Sequence, residues 1–158
     1  MAQKLTKKSK VAVKPVKNIS PKRNTSQPKD FISAIGRRKT AVARVRLWKG
    51  KEDIVVNDKS ISEYFKGEIF KKIYQLPFVV TDTLGQYAGS IKISGSGTKA
   101  QIGAFTHGVA RVLAKIDPEK YKPVLRAKGF LTRDPRMKET RKVGQGGKAR
   151  AKKQSPKR

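Results

Sequence analysis

Along residues 40–48 the side chains change character at every step: Ala41, Ala43, Val45 and Leu47 alternate with Val42, Arg44 and Arg46. A period of two is the mark of a strand with one dry face, and here the other face is cationic. This strand is read as the opening of the core. Residues 49–53 read as a turn, 54–56 as a short strand, and Asn57-Asp58 as the turn that follows it. Ser60 with Glu63 three residues on has the form of a capping box, which predicts a short helix ending near Gly67. A second helical segment is predicted over residues 68–75. It stops ahead of Pro77, because the residue before a proline is pushed out of helical geometry. Residues 78–81 and 86–94 are strand candidates, the latter alternating through Tyr87, Gly89, Ile91 and Ile93.

The strongest helical signal follows. Thr98 and Gln101 form a second capping box, and Ile102, Phe105, Val109, Val112, Leu113 and Ile116 recur at helical spacing. Asp117 is placed to cap a further helix with Pro118 in its first turn, and Gly129 to end it. Strands first and helices after, on a sheet with one polar face, predict an α+β layer.

Charge divides the chain into three zones. Residues 1–30 hold nine Lys or Arg, three prolines and no aromatic residue. Such a segment buries too little apolar surface to offset its ordering entropy, so a disordered basic extension is expected. Residues 31–125 carry 17 basic and 8 acidic residues and most of the bulky apolar side chains, and residues 126–158 carry 13 basic and 2 acidic. The expected organisation is a globular domain over 31–129 between an amino-terminal extension, 1–30, and an extended tail, 130–158. A net charge of +28 is a large self-repulsion, and a partner of dense negative charge relieves it. Nucleic acid is the commonest such partner. An anionic membrane would call for a basic amphipathic helix with bulky apolar residues opposite, and the chain shows none. With no apolar run of membrane-spanning length, the chain is read as soluble.

Catalytic chemistry is sparse. There is no cysteine and one histidine, His107, so a zinc-type site has no ligand set. His107 sits beside the apolar stripe of the long helix, where a packing or hydrogen-bonding role outweighs catalysis. Gly95-Ser96-Gly97-Thr98-Lys99 is a glycine-rich turn ahead of a helix. It is a tight strand-to-helix connection or a phosphate cradle, and it lacks the spacing of the nucleotide-binding loop. No cofactor is expected. An enzyme of the sugar- or nucleotide-kinase kind and a free nucleic-acid chaperone are the alternatives to a structural RNA-binding protein. The Lys-rich amino-terminal arm also has the general look of an organelle transit segment, but it has one arginine, Arg23, and no amphipathic run.

Two stretches carry the candidate function. Arg37, Arg38 and Lys39 stand at the start of the first predicted strand, with Arg44 and Arg46 continuing along one face. Arginine offers phosphate a planar fork of donors. In the tail, Arg133, Arg136, Arg141, Lys142, Lys148, Arg150, Lys152 and Lys153 recur among glycines and small residues, at a density suited to phosphates. At about 3.4 Å per residue the tail reaches at most roughly 100 Å.

The motifs G-R-R-K-T-A-V-A-R-V (36–45), V-N (56–57), Y-F (64–65), Q-x-G-A-x-x-H-G-V-A-R-x-L (101–113), L-x-x-x-G-x-L-T-R-D-x-R (125–136) and E-x-x-K-x-G-x-x-K-A-R (139–150), with Lys157-Arg158, resemble the ninth small-subunit ribosomal protein family, of the bacterial type. The resemblance runs in order from about Ile35 to Arg158. It implies a fold of the ribosomal protein five domain-two type, with helices on one face of the sheet. It further implies a structural role in translation on a cytoplasmic ribosome, as a monomer in the head of the small subunit. The partners it implies are the 3′ major domain of the small-subunit RNA, neighbouring head proteins and peptidyl-site tRNA, with Lys157 and Arg158 as the tRNA-contacting residues. The chain departs from the family at residues 95–101, where three glycines followed by S-G-Q are usual. It departs again at residue 156, where Pro156 stands in place of a serine.

Overall fold

The computed structural model describes residues 30–140. Among them, nine elements follow one another: β1 (Ile32–Arg38), β2 (Ala41–Lys49), β3 (Ile54–Val56), β4 (Lys59–Ser60), α1 (Ile61–Tyr64), α2 (Glu68–Val80), β5 (Tyr87–Ser94), α3 (Thr98–Ile116) and α4 (Pro118–Ala127). The strands form one mixed sheet in the order β1-β2-β5-β3-β4. β3 and β5 run parallel and the other neighbours antiparallel. The fold is therefore α+β, with the helices packed on the sheet.

The alternation in β2 is realised as read: Ala41, Ala43, Val45 and Leu47 are buried, while Arg44 and Arg46 are exposed. Ile91 and Ile93 of β5 continue the dry face. Phe105, Val109, Val112 and Leu113 of α3, all at or near zero exposure, cover it. Phe65 and Tyr74 close the core edge-on against Phe105, with ring centroids 6.0 and 6.4 Å away. The Asn57-Asp58 turn joins β3 to β4 with both residues at positive φ (47° and 66°), the backbone that two-residue hairpins favour. Ser60 Oγ accepts from Glu63 N–H at 3.3 Å and Asp117 Oδ1 from Lys120 N–H at 3.1 Å, so both caps form. Gly129, at φ +73°, lies just past the end of α4.

Four expectations need correction. The core opens one strand earlier than residue 40, with β1, so Arg37 and Arg38 end a strand and Lys39 and Thr40 form the hairpin turn. β1 hides from a hydrophobicity pattern because its most deeply buried positions are Ala34 and Gly36, while bulky Ile35 points outward. Secondly, residues 78–80 are the last turn of α2, which runs through Pro77. A proline inside a helix costs about 3 kcal/mol; burial of Tyr74, Pro77 and Phe78 on one face offsets that. Thirdly, the predicted stop at residue 75 fails for the same reason. Lastly, α3 starts on Gly97 with no side-chain cap, and Thr98 is its first helical residue. Ala100 N–H and Gln101 N–H both donate to the Gly97 carbonyl at 2.9 Å, so the helix begins one residue earlier than the capping box required.

Candidate nucleic-acid interface

The sheet's second face is built by register. Arg44 of β2 lies between Ile35 of β1 and Lys92 of β5, and Arg46 lies between Ser33 and Ser90. Arg37 pairs with Val42, which pairs with Ser94. Directly opposed residues share a face with Cβ atoms about 5 Å apart, so Arg37, Arg44, Arg46 and Lys92 all stand on the side away from the helices. Arg44 and Lys92 are like charges placed side by side, an arrangement that destabilises a sheet on its own. Arg46 lies over the Phe31 ring at 5.0 Å, a cation–π contact that holds its stem against the sheet. No strand contains a single acidic residue, and Arg37, Arg44 and Lys92 make no ion pair among the described residues. A sheet face whose strands carry cations and no acid suits a phosphate backbone.

Lys92 was not among the residues singled out from the sequence. Its position in the β5 alternation gave it to the polar face, but its alignment with Arg44 depends on β2–β5 pairing.

The predicted cluster at 37–39 is split by the strand's pleat. Arg38 points to the helix side, its stem where a Cβ on Gly103 of α3 would be. There its Nη2 meets Asp134 Oδ2 at 3.3 Å. Arg136 holds the same carboxylate through Nε and Nη2, both at 2.9 Å, and the two guanidiniums keep Asp134 ionised well below the ordinary carboxylate range. Phe130 and Leu131 pack on the core just before this cluster. Arg38 is thus a clasp on the root of the tail. Arg133 is exposed. Arg141, Lys142, Lys148, Arg150, Lys152, Lys153, Lys157 and Arg158 lie outside the described residues.

The remaining motif residues hold the scaffold together. Asn57 grips both backbone groups of Ile93, accepting from N–H at 2.9 Å and donating to C=O at 2.8 Å. Its Nδ2 also donates to Tyr64 Oη, which donates to Gln101 Oε1 at 2.9 Å. Gln101 Nε2 in turn reaches the Gly95 carbonyl at 3.2 Å. Three separate motifs therefore meet in one chain of hydrogen bonds beneath the turn at 95–97, which is explained as a strand-to-helix connection.

α3 also closes the free edge of β1. Arg37 N–H donates to His107 Nδ1 at 3.2 Å, Arg111 Nη1 to the Ile35 carbonyl at 2.6 Å, and Lys115 Nζ to the Ser33 carbonyl at 2.9 Å. Four helical residues rise about 6 Å and two strand residues about 6.6 Å, so residues 107, 111 and 115 keep step with 37, 35 and 33. An edge that would otherwise invite another strand is capped by side chains, and His107 has the hydrogen-bonding role expected of it.

Burial lowers the proton affinity of His107, and the Arg111 guanidinium lowers it further; a backbone hydrogen bond to Leu131 acts in the opposite sense. The folded chain therefore binds fewer protons here than the unfolded chain, whose imidazole titrates near 6.5. This contribution to stability is complete above that pH and is lost as pH falls through 6.5 toward the folded value. The thermal midpoint should drop on acidification from about pH 7.5 to about 5.5, across the unperturbed histidine range. In His107→Asn, whose Oδ1 accepts the same Arg37 N–H, that part of the drop should vanish; an identical pH profile in the variant would exclude His107 as its source.

Comparison with known families agrees with this architecture. A family model described as Ribosomal protein S9/S16 matches residues 36–158, well over half of the chain. The family consists of structural ribosomal proteins that bind ribosomal RNA, not of enzymes. Its match begins at Gly36, where β1 meets α3, and takes in the α3 motif, the clasp at Asp134 and the basic stretch beyond it; the chain belongs to the ribosomal protein S9/S16 family.

Proposed function

We propose that this protein docks on RNA of the small-subunit head, in the 3′ major domain, through the open face of its sheet, and extends its basic tail toward peptidyl-site tRNA. The observation that carries the reading is the acid-free face bearing Arg37, Arg44, Arg46 and Lys92 in register. The rigid sheet positions these cations before binding, so little conformational entropy is lost on docking. Lys39 at the β1–β2 turn and Arg133 and Arg136 at the tail root extend the basic surface beyond the sheet. Arg38 acts one step removed, holding the tail root against α3. The tail cations Arg141, Lys142, Lys148, Arg150, Lys152 and Lys153 then follow the RNA, and Lys157 and Arg158 contact tRNA. The fold is of the ribosomal protein five domain-two type, and the setting is a bacterial-type cytoplasmic ribosome. Among the described residues no helix is long and apolar enough to cross a membrane.

The placement is tested by tethering an iron-chelate cleavage reagent at position 92 through a Lys92→Cys variant, the chain having no other cysteine. In reconstituted subunits the RNA cuts should cluster in the 3′ major domain; cuts confined to the body of the subunit would refute it. The tail is tested separately. Deleting residues 156–158 should leave assembly intact, because 11 basic residues remain between Arg126 and Lys153. Peptidyl-site tRNA affinity should fall by on the order of 1–3 kcal/mol, the scale of charge-assisted hydrogen bonds. Unchanged tRNA affinity across a salt series would leave the tail as an anchor on ribosomal RNA alone.

A further inference from the structure

α2 buries Tyr74, Pro77 and Phe78 and turns a second apolar stripe outward: Ile69, Ile73, Leu76 and Val79 are 75, 36, 44 and 53% exposed. The spacing of four, three and three keeps them on one side of the helix. Ile69, Ile73 and Leu76 border a groove of about 650 Å³, floored by Phe70, Ile102 and Phe130 and rimmed on the helix side by Arg38 and Lys99. Its one acidic lining residue, Asp134, is already held by Arg38 and Arg136. Neither the sheet's cationic face nor the Asp134 clasp uses these aliphatic side chains.

We propose that this groove is a protein-docking site. Its occupant is an apolar segment of a neighbouring subunit protein, about two helical turns long and flanked by acidic residues. Charge complementarity selects this occupant. Residues 1–29 of the chain itself carry nine basic and no acidic residues, and residues 141–158 carry eight basic, no acidic and no aromatic residues, so either would bring like charge to a cationic rim. A second copy brings a net +28 against +28. RNA satisfies the rim but leaves the aliphatic stripe unmatched, since single-stranded bases stack on aromatic or guanidinium planes. A foreign segment with apolar side chains inside and carboxylates outside matches both parts, in the manner of a helix laid in a groove. Ile69 to Leu76 spans about 10 Å of helix, which sets the length of the contact.

This inference rests on the ribosomal placement proposed above, and the test separates the two. Small subunits are reconstituted from their RNA and purified proteins, with photoreactive benzoylphenylalanine at position 73 of this chain and, in a second preparation, at the more exposed position 69. Irradiation should join both positions to one subunit protein, at a peptide carrying apolar and acidic residues. Ile69→Glu and Ile73→Glu should each lower retention of that protein by about tenfold or more, as expected for a central apolar anchor, while leaving this chain in the subunit. Cross-links to RNA, to residues 1–29 or 141–158, or to nothing in subunits that contain the chain would overturn the docking site and leave the ribosomal placement standing. Failure of the unmodified chain to enter subunits would remove both.

Discussion

Gly36→Ala should lower the thermal midpoint of the full chain by more than about 10 °C. A Cβ on Gly36 would fall on the Ala104 carbonyl and on the backbone of Gly108, and Gly108 is itself hemmed in by Val45 and Gly36. Both sides of the contact are main chain, so no side chain can rotate out of the way. The helix must lift off the strand instead. That movement loosens Phe105 and Val109 over the sheet and breaks the step of His107, Arg111 and Lys115 along β1. Overpacking usually costs about 1–3 kcal/mol. With backbone on both sides, the cost belongs at or above about 3 kcal/mol, and each kcal/mol moves the midpoint of a domain of this size by about 4–8 °C. Gly97 is the control. Nothing lies within 4 Å of a Cβ there, and the residue is an N-cap with no side-chain hydrogen bond. Gly97→Ser should be neutral or stabilising by up to a few tenths of a kcal/mol, the gap between glycine and serine as caps. Equal behaviour of the two variants in a thermal melt would mean that the Gly36–Gly108 approach does not set the helix position.

Removing the open-face cations should be the largest single change in RNA affinity that leaves the fold alone. In the triple variant Arg37→Ala, Arg44→Ala, Lys92→Ala, all three side chains leave exposed positions. The Arg44–Lys92 repulsion goes as well, so the melting temperature should hold or rise slightly. Affinity for small-subunit RNA should fall by on the order of 3 kcal/mol, about a hundredfold, at roughly 1 kcal/mol for each phosphate contact. The slope of log affinity against log salt should flatten by about 2 to 3, because fewer counterions are released. Arg38→Ala should behave differently, with a smaller effect on RNA affinity and a freed tail root, since Arg38 is tied to Asp134 on the helix side. A weakening in the triple variant no greater than in Arg38→Ala alone would place the RNA elsewhere.

Much of this was legible in the sequence because it depends on neighbours in the chain. Alternation in β2 and β5, the α3 stripe, the caps at Ser60 and Asp117 and the Asn57-Asp58 turn are all decided within a few residues. So is the excess of cations over acids. Each is a local competition between burial, backbone geometry and hydrogen bonding, and local pattern reports the winner. The motif series also carried the family, because its residues stand in order along the chain.

What the sequence left open depends on residues far apart. β1 could not be read from periodicity, because the approach of the α3 backbone demands glycine at position 36, small Ala34 is the other buried residue and bulky Ile35 faces outward, reversing the usual hydrophobic signal. The run through Pro77 was settled by a buried face that outweighs one lost hydrogen bond. Only strand pairing could set Lys92 beside Arg44, and only the pleat of β1 could send Arg37 and Arg38 to opposite faces. Composition and local periodicity suffice to establish that the chain is cationic, that its sheet has one dry side, and where most turns fall. Which cations stand together follows from the folded domain alone, because side-chain direction alternates along a strand while register between strands is fixed by the packing of the whole domain.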